Sequence, residues 1–156
     1  MIELLKGKYA VTLDMYPLQS KEWNRIYPFY DNLREGRFTT TACKDCGHKS
    51  FPPRVVCPEC LSDNLEWVDL PAQGRVLVVS EEEVGVPFGF ENPLIHALIE
   101  IGEFKMMARV NNVKMGELKE GDEVKLHVFP VEPVPVDGRK GAVDLQERVF
   151  YSFHKV

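Results

Sequence analysis

The sequence predicts a mainly β protein with an N-terminal helical segment, a small cysteine-rich ribbon and a closed β-barrel. Three observations support this prediction. One stretch before residue 36 has helical periodicity, four cysteines fall in two close pairs, and several short alternating segments follow Gly74. We therefore divide the chain into an arm and helical segment at 1–36, a ribbon at 37–70 and a barrel at 71–156.

The composition excludes several classes of protein. Acidic residues outnumber basic ones, 24 against 19, and the formal charge of −5 disfavours bulk electrostatic binding to nucleic acid. No apolar run approaches the roughly 20 residues that span a bilayer. The first residues lack the apolar region of a signal peptide. We therefore expect a cytoplasmic protein without a membrane segment.

The helical segment spans residues 20–35. Ser20 is a suitable N-cap, and Gly36 can end the helix in a left-handed conformation. Pro28 interrupts the run. The segment is therefore either one kinked helix or two helices, of which the second begins near Pro28.

Large aromatic side chains follow one face of this helical segment, namely Trp23, Tyr27 and Tyr30. Such a face either packs on the protein's own core or contacts a partner chain, and we take these residues as the candidate partner-binding surface. Residues 1–20 lack helical periodicity. They are either an extended arm that docks on another surface or a loosely ordered terminus.

The four cysteines fall within 18 positions as two C-x2-C pairs separated by ten residues. Each pair forms a tight turn that points two thiolates at one spot, so Cys43, Cys46, Cys57 and Cys60 predict a tetrahedral four-sulfur site. Disulfides are disfavoured in the cytoplasm, and no βαβ unit surrounds a redox pair. Iron is an alternative metal, but structural sites of this type mostly hold zinc. We expect one structural Zn²⁺, with His48 outside the ligand set.

From Gly74 onward, short segments typical of strands follow one another: the first is a buried run, the second is apolar on both faces, and the later ones alternate. Five strands in about 80 residues, without a long helix, predict a small closed barrel, and the OB-fold is the commonest barrel of that size. We expect these strands near 75–80, 94–101, 104–110, 124–128 and 143–153.

The sequence contains no recognisable catalytic motif. Neither the Gly-rich phosphate-binding motifs nor G-x-S-x-G is present. The metal site takes all four cysteines, so no thiol is left as a nucleophile. We therefore do not expect the chain to be a catalyst on its own, and we assign it no catalytic residue.

Five short motifs follow one another from the helical segment to the start of the barrel. They are Pro28-Phe29-Tyr30 with Leu33-Arg34-Glu35-Gly36-Arg37-Phe38, Cys43-Lys44-Asp45-Cys46-Gly47, Phe51-Pro52-Pro53-Arg54, Cys57-Pro58-Glu59-Cys60, and Ala72-Gln73-Gly74-Arg75. Together they closely resemble the zinc-ribbon/OB-fold family of acyl-CoA-associated proteins. The resemblance covers about residues 26–156 and implies a rubredoxin-like zinc ribbon followed by an OB-fold.

The resemblance also implies a non-catalytic role. Members of the family sit beside thiolase-fold enzymes or within acyl-CoA hydratase assemblies, where they help to hold the acyl-CoA. Thiolase chemistry needs a nucleophilic cysteine, which a partner would supply here. We expect an accessory subunit of an acyl-CoA thiolase complex. Anaerobic aromatic degradation, in which a benzoylsuccinyl-CoA thiolase has such a small subunit, and archaeal acetoacetyl-CoA metabolism are two possible settings.

Two Gly- and Pro-rich loops, at 84–93 and 130–141, are the candidate CoA-binding region. Coenzyme A has phosphates at one end and a thin apolar arm at the other, so it needs cations and an apolar rim. The alternative is that the cations are ordinary solvated charges and the aromatics close the barrel. The residues concerned are Arg139 and Lys140 for the phosphates, and Phe88 and Phe90 for the rim.

Three other functions compete with the thiolase subunit. An acyl-CoA hydratase subunit is one, although the long central helix of the catalytic hot-dog fold is missing. An OB-fold binder of single-stranded nucleic acid is another, which the acidic charge disfavours. A rubredoxin-like electron carrier would hold iron, which is red, whereas zinc is colourless.

Overall fold

The structure is a computed structural model, and it describes residues 16–87, 90–137 and 139–156. Most of the N-terminal arm, residues 1–15, and Phe88 of the first loop therefore lie outside the described residues. Within these ranges, one α-helix, eight β-strands and a short 3-10 turn follow in chain order. They are α1 (Tyr27–Arg34), β1 (Thr39–Cys43), β2 (Lys49–Ser50), β3 (Leu65–Asp69), β4 (Gln73–Glu82), β5 (Leu94–Ile101), β6 (Phe104–Arg109), β7 (Glu123–Asp137), the turn Arg139–Gly141, and β8 (Val143–Lys155).

Helix α1 is shorter than the sequence predicts. Residues 20–26 form turns, in which the Ser20 carbonyl accepts hydrogen bonds from the backbone amides of Trp23 and Asn24. Pro28 lies in the first turn of α1 because it has no amide proton to give to a preceding helical turn. In the described part of the chain, no helix combines the length and apolar character needed to cross a membrane.

The ribbon is a three-stranded antiparallel sheet in the order β2-β1-β3. Strand β1 is central, and all five of its residues are buried. It pairs with β3 from Thr39–Asp69 to Cys43–Leu65, so the end of β1 delivers Cys43 to the tip of the sheet. The predicted zinc ribbon is therefore confirmed.

The second sheet has five antiparallel strands in the order β6-β5-β4-β7-β8. Its ladders leave β6 and β8 as the two edges. Within the described residues, these edges meet at one isolated parallel bridge between Val110 and Phe153. The mainly β class with a zinc ribbon is confirmed, but the closed OB-fold barrel is not, because one bridge does not make a ladder.

The predicted loop at 130–141 is largely regular structure. Strand β7 continues through Pro130 and Pro135, which pair with β8 across a register shift between Val131 and Val134. Prolines are tolerated here because β4 pairs with β7 only near its start, from Arg75–Glu123 to Gln73–Lys125, in the described ladders. The missing proline amides therefore face a strand edge that has no neighbour in the sheet.

Aromatic rings fill the space between α1, the ribbon and the five-stranded sheet. Phe38 is 1% exposed, and its ring centroid lies 5.3 Å from that of Phe51 and 5.2 Å from that of Tyr151. The rings of Phe29 and Phe153 lie at 6.1 and 6.0 Å. Phe38 therefore joins the helix, the ribbon and the large sheet in one core.

The described end of the N-terminal arm packs on this chain. The Gln19 side chain is buried, its amide donates to the Val149 carbonyl at 2.6 Å, and its oxygen accepts the Val149 amide at 3.0 Å. The rings of Tyr16 and Phe150 meet edge-on at 5.0 Å. Residues 16–20 thus cover the edge of β8.

Gly74 allows β4 to approach β5 closely, and its replacement provides a test of this packing. A Cβ atom at Gly74 would lie 2.7 Å from the carbonyl oxygen of Glu100 and 2.7 Å from the side chains of Ile99 and Ile101. We expect Gly74→Ala to lower the free energy of unfolding by about 2 kcal/mol or more, measured by urea denaturation. Ser80→Ala, at an exposed position of the same strand, is the control and should change it by less than about 0.5 kcal/mol. Equal effects would show that the close approach is absent.

Candidate metal centre and neighbouring surfaces

Two turns with the same backbone geometry carry the four cysteines. In the first, the Gly47 amide donates to the Cys43 carbonyl at 2.9 Å, and in the second, the Leu61 amide donates to the Cys57 carbonyl at 3.0 Å. Gly47 and Leu61 both have positive φ, 77° and 60°. The left-handed residue after each pair turns the chain back and lets both sulfurs of the pair point inward.

A second pair of hydrogen bonds repeats in the same way. The Cys43 amide donates to the His48 carbonyl, and the Cys57 amide donates to the Ser62 carbonyl, both at 2.8 Å. His48 contributes this carbonyl to the turn, and its imidazole is not part of the sulfur cluster. The prediction that His48 lies outside the ligand set agrees with this geometry.

The four sulfur atoms all lie within 4.8 Å of one another. The Sγ atoms of Cys43 and Cys60 are 3.6 Å apart, as are those of Cys46 and Cys57. A disulfide needs about 2.05 Å, whereas tetrahedral zinc with bonds of about 2.3 Å separates its sulfurs by about 3.8 Å. The site therefore fits one structural Zn²⁺, and four thiolates fill its coordination shell.

The environment distinguishes the thiols within this cluster. The backbone amide of Cys46, and less so that of Asp45, points at the Cys43 sulfur and lowers the pKa of this thiol to about 7. The Ser62 amide likewise favours the thiolate of Cys60. The neighbouring sulfurs of Cys46 and Cys43, together with burial, outweigh this effect and raise the pKa of Cys60 to about 12. Four thiolates cannot coexist here without a cation, so a divalent metal is the natural counter-charge.

Side chains link the two turns outside the sulfur cluster. The Asp45 carboxylate accepts hydrogen bonds from the Ser62 hydroxyl and, at 2.8 Å, from the Asn64 amide group. These two donors lower the pKa of Asp45. The Lys44 amide also donates to the Asn64 carbonyl at 2.9 Å. The connection fixes the first turn against the start of β3.

The structure does not bring the three candidate partner-binding aromatics to one surface. Trp23 is 58% exposed and lies before α1, whereas Tyr27 is half-buried at its start. Tyr30 is 5% exposed, its ring packs edge-on at 5.2 Å from Phe29, and burial raises its pKa. The face differs from the prediction because the helix begins at Tyr27, which places Trp23 outside its periodicity. Trp23 is the exposed member of the set.

The candidate CoA-binding residues are also dispersed. Lys140 is exposed in the turn that joins β7 to β8. Phe90 is half-buried, and its ring centroid is 5.6 Å from the Arg109 guanidinium carbon. Phe88 and the side chain of Arg139 lie outside the described residues. The role of these residues in CoA binding therefore stays a prediction.

The sequence analysis missed a row of stacked side chains near Phe90. The Arg109 guanidinium also lies 5.4 Å from the centroid of Phe129, whose ring stacks at 6.1 Å on His127. His127 in turn stacks on His154 with centroids 3.8 Å apart. The alternation of His127 and Phe129 along one strand was a weak signal, but the neighbours across the sheet depend on the register of β7 and β8.

Comparison with known proteins gives several similarities. The family model described as ChsH2, rubredoxin-like zinc ribbon domain, matches residues 31–66. A DUF35 domain-containing scaffold protein from Pyrococcus furiosus is 33% identical over 95 residues, which are 59% of this chain and 69% of that protein. Benzoylsuccinyl-CoA thiolase subunit BbsA from Thauera aromatica is 29% identical over 115 residues, which are 73% of each chain.

A solved structure, the Ltp2-ChsH2(DUF35) aldolase, contains a chain with a similar fold. The TM-score is 0.64 at 19% identity, and the superposition covers 87% of this chain and 98% of the other. At this identity the similarity describes the fold alone. Its coverage shows that the ribbon and the five-stranded sheet recur together.

The metal site makes a direct prediction about composition and folding. We expect one tightly bound zinc per chain, and Cys43→Ser or Cys57→Ser should abolish zinc binding and unfold the ribbon, because structural zinc contributes on the order of 10–16 kcal/mol in small domains. Elemental analysis and circular dichroism measure both effects. His48→Ala is the control and should keep one zinc. Folded, soluble wild-type protein without any metal would contradict the site.

Leu61 offers a subtler test of the second turn. Leu61 is 79% exposed, so it contributes little packing, yet it holds a left-handed conformation that costs a non-glycine residue about 1–2 kcal/mol. We expect Leu61→Gly to tighten zinc binding about two- to fivefold, because the relief of backbone strain exceeds the larger conformational entropy that glycine loses on folding. Competition with a chelator measures this affinity. Gly47→Leu should weaken binding. Weaker binding by Leu61→Gly would show that this conformation is not strained.

Proposed function

Because this chain belongs to the DUF35 family, we propose that it is a non-catalytic, zinc-containing accessory subunit of an acyl-CoA thiolase complex. The observation that carries the proposal is the use of all four cysteines in one closed metal site. A thiolase needs a free nucleophilic cysteine. This chain has none to spare, so the reacting thiol would come from a partner with a thiolase fold.

The printed names of two relatives support an accessory role. The Pyrococcus furiosus relative is named as a scaffold protein, and the Thauera aromatica relative is named as a subunit of a benzoylsuccinyl-CoA thiolase. The second similarity extends over 73% of this chain, well beyond the ribbon. We therefore propose that the ribbon and the sheet together serve assembly, as a rigid body beside the catalytic subunit.

Two finer features belong to the same proposal. The strand order β6-β5-β4-β7-β8 and the parallel bridge between Val110 and Phe153 support an OB-type closure of the large sheet. We also propose that the chain helps to bind acyl-CoA and that the complex is cytoplasmic. The division at 1–36, 37–70 and 71–156 remains a working description of its parts.

Enzyme assays on separated and recombined subunits test the proposed role. The chain alone should show no thiolysis of acyl-CoA, and it should restore or raise the activity of a catalytic subunit purified from the same host. Loss of zinc from this chain should remove that effect. Turnover by the isolated chain, or no influence on any thiolase-type enzyme of the host, would contradict the proposal.

Trp23 is our candidate for an interface anchor. It is large, aromatic and 58% exposed, and truncation of a central aromatic anchor typically costs about 2 kcal/mol or more of binding. We expect Trp23→Ala to raise the Kd for the catalytic partner about thirtyfold, measured by surface plasmon resonance, with little change in the melting temperature of the free chain. Val84→Ala, at a residue 92% exposed, is the control and should leave the Kd unchanged. A matching loss of thermal stability for Trp23→Ala would mean that Trp23 supports the fold instead.

A further inference from the structure

The outer edge of β8 has no strand beside it over its first residues. Strand β8 is the last in the sheet order, and it pairs with β7 along its whole length, from Val143 to Lys155. Near its end, the other edge meets the bridge between Val110 and Phe153. Among the described strands, none pairs with that edge at residues 143–147. An unpaired edge of this kind is a template for another strand.

Alternate residues of β8 direct their backbone groups to this outer edge. The Val149 amide and carbonyl bond the Gln19 side chain, at 3.0 and 2.6 Å, and the Glu147 carbonyl accepts a hydrogen bond from an α1 side chain at 3.2 Å. The next residue in this series, Leu145, lies opposite Pro135, which has no amide to donate across the ladder. Because bonded and non-bonded positions alternate in an antiparallel pair, the Leu145 amide and carbonyl also point to the outer edge.

The described end of the N-terminal arm reaches β8 beside this free edge. The rings of Tyr16 and Phe150 meet at 5.0 Å, and the Arg148 guanidinium donates to the Tyr16 carbonyl at 2.7 Å. Tyr9 precedes Tyr16 by as many residues as Val143 precedes Phe150. At about 3.3 Å per residue, an extended arm therefore has the length to follow β8 back to its first residue.

The sequence of the arm matches the exposed apolar residues on one face of this edge. With the ring of Tyr16 level with β8 as described, counting back along the arm places Val11 beside Leu145 and Tyr9 beside Val143. Leu145 and Val143 are 68% and 63% exposed, and they lie on the same face of β8 because two residues separate successive side chains on a face. Apolar neighbours on an adjacent strand cover such side chains and remove apolar surface from water.

The same register brings opposite charges together on the other face. Arg148 is 3% exposed, and its guanidinium also donates to the Glu132 carbonyl at 2.7 Å. Counting back from Tyr16 places Asp14 beside Arg148. A buried charge is stabilised by an opposite charge at close range. The alternation of the arm thus satisfies both faces of the edge in one register, with apolar residues on one face and a carboxylate on the other.

We propose that residues 9–15 add to the free edge of β8 as a parallel strand. In this register the Leu145 amide donates to the Ala10 carbonyl, and the Thr12 amide donates to the Leu145 carbonyl. The arm then occupies an edge that would otherwise pair with other chains, so it protects the protein from edge-to-edge association. This inference concerns the chain by itself and does not rest on the proposed function.

Amide hydrogen exchange of the full-length, zinc-loaded chain, measured by NMR, tests the added strand. We expect Thr12→Pro to speed exchange of the Leu145 amide at least tenfold, because proline removes a donor that faces β8. Leu13→Pro is the matched control. The Leu13 amide points away from β8 in this register, so this variant should change the rate less than twofold. Unchanged exchange in β5 establishes that the sheet is intact in both variants.

A charge variant tests the register independently of proline. Asp14→Asn removes the negative charge beside Arg148 and should speed exchange of the Leu145 amide at least threefold. Asp31→Asn is its control, because Asp31 forms an exposed ion pair with Arg34 at 3.0 Å, and it should leave the rate unchanged. A Leu145 amide that exchanges equally fast in the wild type and Thr12→Pro, or equal effects of the two proline variants, would overturn the inference.

Two other occupants of the edge give different results in the same measurements. If a second copy of the chain covers β8, protection of the Leu145 amide rises with protein concentration and ultracentrifugation detects a dimer. If a strand of a partner covers it, the amide is protected only in the complex. Either result would overturn the inference, whereas protection that is present in the dilute, monomeric chain supports the arm.

Discussion

Four sulfur atoms held within 4.8 Å of one another are the constraint on which the ribbon depends. Its sheet consists of two five-residue strands and one two-residue strand, far too small to build a core of its own. The metal joins the turn after β1 to the turn before β3, and these turns have the same hydrogen bonds. The two strands therefore leave the site already aligned for pairing.

The base of the ribbon is secured in a different way. Phe38, directly before β1, and Phe51, directly after β2, meet the aromatic rings of α1 and β8. Lys49 forms an ion pair with Glu103 at 2.9 Å, which is an exposed contact of modest value. Metal at one end and aromatic packing at the other make the ribbon a firm extension of the large sheet. A rigid body of this kind suits a protein that positions another chain.

The parts of the structure that were predicted correctly depend on local sequence. Spacing alone identified the four ligands, and a short segment that is apolar on both faces predicted β5 with its observed ends, Leu94–Ile101. The errors have nonlocal causes. Pro130 and Pro135 were taken as loop residues, but they lie on a strand edge that lacks a neighbour. Tyr30 was taken as exposed because sequence cannot show which face of α1 meets Phe38. The row of stacked side chains around Arg109 depends on cross-strand register and was missed for the same reason.

We propose that this chain is a scaffold folded around its metal and that a partner supplies the chemistry. Native mass spectrometry of the complex purified from its host tests this most directly, because one spectrum gives the subunits and the bound metal. We expect an assembly that contains this chain with one zinc and a thiolase-type subunit with a free cysteine. A chain that is isolated alone, or a complex whose partner is unrelated to thiolases, would contradict it.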